Sequence, residues 1–229
     1  MEQLPGGYTL HLNPEAFPLS TDSMVLADFV RLSKESSVLD LGAGCGTLGT
    51  LLCARDPQCR VTGVEIDPAA HQAAQENIRR NGLSHRMDSI CADIADIPQL
   101  TAPGSFHCCI SNPPYFSSGP ASKAHPTARR DDCCSMDILF RAAAWAVKYG
   151  GDFFLVHRPE RLAELMHNAS LVQLEPKRLC LVRHNAAAPV SLILLQCRKG
   201  AKPGLLWEEL TLHEADGAPT AAYRKIYHL

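Results

Sequence analysis

The chain has 229 residues, a net charge of -2 and a hydrophobic fraction of 46%, enough for one α/β domain with a buried core and a modest appendage. No apolar run reaches the roughly 18 residues that a membrane span needs, and no basic segment followed by an apolar one opens the chain, so neither a span nor a signal peptide is expected and the reading is cytoplasmic. The near-neutral balance argues against a protein that coats nucleic acid. It hides an asymmetry: residues 1–114 carry 7 Lys and Arg against 13 Asp and Glu, whereas residues 115–229 carry 15 against 11. A basic second half is compatible with a polyanionic substrate and equally with ordinary solvated charge. Ten cysteines include no Cys-x-x-Cys, and Cys108-Cys109 and Cys133-Cys134 are adjacent, a spacing unsuited to zinc. They read as reduced thiols serving as small core residues, and no metal is assigned.

Along the chain, Val38 to Leu41 is a short strand running into Gly42-Ala43-Gly44-Cys45-Gly46, followed by a helix from Thr47 to Ala54. Arg60 to Ile66 is a second strand. Asp67-Pro68 opens a helix, since Asp caps and Pro suits the first helical position, and Gly82 stands just past its end. Met87 to Ala92 and Phe106 to Ile110 are the third and fourth strands. Ser135 caps a helix through Tyr149, closed by Gly150-Gly151, and Phe153 to His157 is the fifth strand. Pro159 starts a helix to Asn168. This alternation predicts a doubly wound, Rossmann-like α/β sheet with parallel strands. Arg178 to Arg183 and Val190 to Cys197 are two strand-like runs suited to an antiparallel edge. A further run, Trp207 to His213, precedes a short terminal helix, Thr220 to Tyr227. The organisation reads as one domain over 1–229, with a cap segment over 1–36, a core over 37–200 and an extension over 201–229. Pro113 to Asp132 is the longest stretch without periodicity.

Three features carry chemistry. The glycines Gly42, Gly44 and Gly46 after a strand let the backbone approach a nucleoside; alternatively they only make a tight strand-to-helix turn. The spacing is not the Gly-x-Gly-x-x-Gly of dinucleotide enzymes. Glu65 closes the second strand about twenty residues on, where an acid accepts from ribose hydroxyls. Asp93, after the third strand, suits an adenine amino group or a local turn. The third feature is Asn112-Pro113-Pro114-Tyr115, which ends the fourth strand. Two prolines cannot donate ladder hydrogen bonds, so they stop the strand and stiffen its carboxyl end, where open α/β sheets bind ligands. An asparagine amide, a rigid carbonyl and an aromatic face suit a flat group with an exocyclic NH2: adenine, guanine or a glutamine amide.

The ordered set Asp40-Leu41-Gly42-Ala43-Gly44-Cys45-Gly46, Glu65, Asp93 and Asn112-Pro113-Pro114-Tyr115 resembles that of S-adenosylmethionine-dependent class I methyltransferases acting on amino nitrogens. The resemblance implies a seven-stranded sheet, mostly parallel with a reversed last strand. It also implies S-adenosyl-L-methionine as cofactor, held by Asp22, Asp40, Gly42, Gly44, Gly46, Glu65, Ile66, Asp93, Ile94 and Asn112, with Asn112, Pro113, Pro114 and Tyr115 catalytic. A narrower resemblance, carried by Gly7-Tyr8, the segment Pro18 to Leu26, Ala128-Arg129-Arg130-Asp131 and His157 to Leu162, is to the valine-tRNA adenine N6-methyltransferase family. Asp131 stands where that family has glutamate. This resemblance implies RNA, specifically tRNA, as partner, Thr21 and Asp22 over the cofactor, and Arg129 and Arg158 near the substrate entrance. Phe116 stacks a base or packs the loop, and Arg130 contacts phosphate or solvent. Protein glutamine, DNA adenine, ribosomal-RNA guanine and a non-catalytic cofactor-binding scaffold stay open as alternatives.

Overall fold

The computed structural model describes residues 2–11, 20–114 and 135–228. Expectations for Pro18, Leu19, Tyr115, Phe116, Ala128, Arg129, Arg130, Asp131, Cys133 and Cys134 lie outside the described residues.

A small antiparallel pair, β1 (Glu2–Gln3) and β2 (Thr9–Leu10), precedes the main sheet. That sheet contains β3 (Ser37–Leu41), β4 (Arg60–Glu65), β5 (Met87–Cys91), β6 (Phe106–Ser111), β7 (Val147–His157), β8 (Leu174–Arg183), β9 (Val190–Lys199) and β10 (Leu206–Thr211) in the order β10-β8-β9-β7-β6-β3-β4-β5. Strand β9 runs antiparallel to both neighbours, and the other strands share one direction. The seven strands expected are β3 to β9, with β9 the reversed one. The run placed at Trp207 to His213 adds an eighth, β10, parallel to β8 at the edge. The two antiparallel runs are therefore interior to this sheet.

Helices α1 (Thr21–Phe29), α2 (Thr47–Arg55), α3 (Pro68–Arg80) and α7 (Ala221–Tyr227) contribute to the core on one face of the sheet. Helices α4 (Ile97–Leu100), α5 (Met136–Ala146) and α6 (Leu162–Leu171) contribute to the other. Side chains alternate across a strand, so consecutive strand residues feed opposite cores. Cys108 lies in the first core and Cys109 in the second, which is why an adjacent cysteine pair sits in a doubly covered strand. Burial holds both thiols well above their usual range.

Local signals placed most boundaries. The Asp67 carboxylate accepts from Ala69 N at 3.0 Å with Pro68 in the first turn. Ser135 Oγ accepts from Ile138 N at 3.3 Å, and Gly82 has φ +66° just after α3. The end of α5 differs from expectation, because the helix stops at Ala146 and Val147–Tyr149 belong to β7, where Val147 pairs with Phe106. A distant side chain closes that helix: Lys199 Nζ donates to Ala144 O at 2.6 Å and to Val147 O at 2.9 Å. Gly151 is needed for close approach instead of a helix stop, since a Cβ there would stand 2.6 Å from His107 O. Among the described residues no helix is long and apolar enough to cross a membrane.

Candidate active site

The order of the strands reverses between β3 and β6, with β4 and β5 on one side and β7 on the other. Open α/β sheets form their ligand crevice at the carboxyl ends of such a pair. The glycine loop follows β3, and Asn112-Pro113-Pro114 follows β6, its neighbour. Ser111 Oγ, buried, donates to Leu41 O at 2.7 Å. The residues immediately before Asn112 and Gly42 are thus pinned together, and the two motifs start side by side.

The loop is folded by its own amides and by β4. Gly42 N and Ala43 N donate to Val64 O at 2.9 and 3.0 Å, and Gly46 N donates to Ala43 O at 2.9 Å. Gly42, Gly44 and Gly46 have φ of +77°, +56° and +83°, a region that L side chains rarely occupy. Space in front of Gly42 and Gly44 is open: a Cβ at either would meet nothing within 4 Å among the described residues. Beneath the loop Gly63 is obligatory, because a Cβ there would stand 2.8 Å from Ala43 Cβ.

Two acids bracket this loop. Glu65 Oε2 accepts from Gly44 N at 2.8 Å, and Oε1 accepts from Asp67 N at 2.8 Å. Asp40 is fully buried at the end of β3, and among the described residues neither carboxylate oxygen has a hydrogen bond of full geometry. Burial pushes its pKa up to about 7, with the Glu65 charge adding to the rise and the Gly49 amide opposing it. A buried carboxylate without a full hydrogen bond, under an open glycine cradle, is a site short of a polar partner. The acceptor set, two carboxylates beside a loop with open space in front of Gly42 and Gly44, suits a ligand with hydroxyl or amino groups.

Asn112 is half-buried, with Pro113 buried and Pro114 exposed. Its Nδ2 donates to Ser23 Oγ at 3.1 Å, which brings the first turn of α1 against the turn. Asp22, half-buried, is the neighbouring residue in that turn. Ile66 is 38% exposed beside Glu65, whereas Ile94 is 7% exposed in the second core, leaving its backbone as the part able to meet a ligand. Asp93 has the turn role: its Oδ1 accepts from Ala95 N at 2.9 Å and caps the short turn Ile94–Asp96. Arg158 is exposed at the same end of the sheet, just past β7, donating to Ser191 O at 3.3 Å. Next to it the buried His157 ring is held neutral, since burial lowers its pKa to about 4.

Sequence reasoning missed Ser23 and Asn77. Asn77, fully buried on α3, donates from Nδ2 to Cys45 O at 3.0 Å and to His11 O at 3.2 Å, and accepts from His11 N at 2.8 Å. It ties the glycine loop to the segment after β2. Asn81, one turn on, pairs with both backbone groups of Thr9. Asn77 inside a helix, where Asn is a poor former, with a second asparagine four residues on at the C-cap, was the available signal.

A cleft of about 830 Å³ lies at the opposite end of the sheet, lined by Arg31, Lys148, Lys177, Arg178 and Arg198 among others. Its buried floor residue Arg178 is engaged by Glu208, Gln196 and the Phe29 carbonyl. None of Asp40, Gly42, Gly44, Glu65 and Asn112 lines it.

The profile of the methyltransferase small domain matches residues 19–175. A protein of Shewanella halifaxensis named tRNA1(Val) (adenine(37)-N6)-methyltransferase is 37% identical over 127 residues, 55% of this chain and 51% of that protein. One of the same name from Actinobacillus pleuropneumoniae is 26% identical over 216 residues, 92% of this chain and 89% of that protein. The match thus spans about half the length of the Shewanella relative. The fold is similar to that of a solved protein described as a predicted O-methyltransferase from Agrobacterium tumefaciens, with a TM-score of 0.77 and 22% identity, covering 91% of this chain and 96% of that one. Another similar fold, with a TM-score of 0.57 at 12% identity, is that of geranyl diphosphate methyltransferase in complex with SAM, covering 77% of this chain and 84% of that one. With the glycine cradle and the asparagine turn side by side at the switch point of the sheet, and the profile matched across both, the chain belongs to the methyltransferase small domain family.

Proposed function

We propose that this chain transfers a methyl group from S-adenosyl-L-methionine to N6 of an adenine in tRNA. The observation that carries this reading is the side-by-side start of the glycine loop and the asparagine turn, pinned by Ser111 Oγ to Leu41 O at 2.7 Å. The names of the relatives favour adenine N6 in tRNA among the amino acceptors that the turn suits.

When bound, the donor supplies a methyl group made electrophilic by its sulfonium. Gly42 and Gly44 admit the nucleoside to the backbone. Glu65 holds the loop with one lone pair on each oxygen and keeps further lone pairs for ribose hydroxyls. Asp40, Asp22, Ile66 and the backbone around Asp93 and Ile94 complete the pocket. Asn112 Oδ1 and the Pro113 carbonyl accept the two N–H groups of the acceptor, drawing the nitrogen lone pair out of conjugation and aiming it. Orientation of this kind supplies much of the rate. The extra proton leaves the nitrogen after transfer, so no dedicated base is needed. Tyr115 stacks on the adenine, worth about 1–3 kcal/mol, and Phe116, Arg129 and Arg158 meet the RNA around it. A paired or stacked adenine must be splayed out to enter. The reading takes residues 1–229 as one methyltransferase domain working in the cytoplasm.

Incubation with methyl-labelled donor and separate tRNA, DNA and protein fractions tests it. The expected result is N6-methyladenosine in tRNA, abolished in Asn112→Ala with donor affinity retained. Label in protein glutamine, or unchanged turnover in Asn112→Ala, would overturn it.

A further inference from the structure

Asn112 can serve as an acceptor for an amino group only with its amide turned one way. Rotation by 180° about the bond to the amide carbon exchanges Oδ1 and Nδ2, and two opposed sets of N–H donors then face each other. Something must fix the rotation, and α1 brings a hydroxyl to it. Asn112 Nδ2 donates to Ser23 Oγ at 3.1 Å, and Ser23 is buried.

A hydroxyl can donate as well as accept, so its own proton must be engaged elsewhere. Ser20 engages it. Ser20 caps α1 by accepting from Ser23 N at 3.3 Å, and its Oγ also lies 3.3 Å from Ser23 Oγ. With the Ser23 hydroxyl donating to that capping oxygen, a Ser23 lone pair faces Asn112 and selects the amide nitrogen. The first turn of α1 is itself anchored. Met24, Val25, Leu26 and Phe29 are buried in the first core, and Thr21 Oγ1 lies 3.3 Å from the hydroxyl of Tyr227, which stacks on Tyr223 at 4.2 Å.

We propose that Ser23 is a positioning residue whose hydroxyl, oriented by Ser20, holds the Asn112 amide with Nδ2 toward α1 and Oδ1 toward the acceptor amino group. The inference rests on the reading of Asn112 as the acceptor of that amino group. It adds a dependence between the helix before β3 and the turn after β6, 89 residues apart.

The test uses the full chain and three proteins: wild type, Ser23→Ala and Ser23→Thr. In single-turnover methylation of tRNA at saturating donor, Ser23→Ala lowers the rate about tenfold, the scale of one hydrogen bond. Its affinities for S-adenosylhomocysteine and for tRNA stay within about twofold of wild type. Ser23→Thr, which keeps the hydroxyl, restores most of the rate. Independently of any acceptor, the Asn112 side-chain NH2 protons, followed by NMR, exchange faster with solvent in Ser23→Ala and return to wild-type behaviour in Ser23→Thr. An unchanged rate in Ser23→Ala, a parallel loss of donor affinity, or Asn112 signals indifferent to Ser23 would overturn the proposal. Should Ser23→Ala not fold, exchange of the wild-type Asn112 NH2 protons decides: protection supports the proposal, and free exchange sinks it. If wild type methylates no tRNA while the NH2 signals respond to Ser23, the substrate reading fails and the positioning role stands.

Discussion

Glu65 and Gly44 are joined by a 2.8 Å hydrogen bond from the loop amide to the carboxylate, 21 residues apart. The acid expected to meet a ribose is thus also the residue that shapes the cradle. Its other oxygen, accepting from Asp67 N at 2.8 Å, sets the entry to α3. Replacing Glu65 by Gln puts a donor opposite one of these two amide donors. The expected outcome is a loss of about 1.5–3 kcal/mol of stability, as for a hydrogen bond to a charged group, together with weaker binding of S-adenosylhomocysteine. Urea melts and calorimetric titration check the pair of effects. Weakened binding at unchanged stability would mean that the tie to Gly44 contributes little.

Asp40 predicts a pH dependence with a definite sign. Burial, reinforced by Glu65, raises its folded pKa to about 7, while the unfolded chain releases that proton near pH 4. Between these values the native state binds more protons than the unfolded state, so the contribution of Asp40 to stability is present below pH 4 and is lost as pH rises to about 7. Asp40→Asn removes this slope. The stability difference between the variant and wild type should move in favour of the variant by on the order of 3 kcal/mol between pH 4.5 and 7.5. Paired denaturation curves at the two pH values measure it, and a constant difference would show that Asp40 does not titrate in that window.

Asn77 joins three chain segments through one buried amide. Asn77→Leu fills the space but removes the hydrogen bonds to His11 N and to the carbonyls of His11 and Cys45. A loss of about 3 kcal/mol is expected, as for several buried hydrogen bonds lost at once. Hydrogen exchange should rise at Thr9 and His11 first, because their ties are to α3 side chains. Uniform exchange across the protein would argue that the segment is held by other contacts.

The sheet was legible because its signals are local. Val38-Leu39, Cys108 to Ile110 and Phe153 to Val156 are short apolar runs, as strands covered on both faces require. Asp67-Pro68, Gly82 and Ser135 mark helix ends through bonds within a few residues of themselves. The end of α5 was misjudged because Lys199, more than fifty residues away, closes it. Tyr149 therefore passed for helix.

By itself, the amino-acid sequence determined the alternation of elements, the glycine loop, and the strand ends bearing Glu65 and Asn112, since each depends on propensities and caps that act over a few residues. Tertiary structure decided which groups meet: Ser111 with Leu41, Glu65 with Gly44, Asn77 with His11, and Ser23 with Asn112. Those pairs depend on strand order and on how α1 and α3 pack against the sheet. No local pattern encodes that information, because side chains many tens of residues apart become neighbours only when the core is buried.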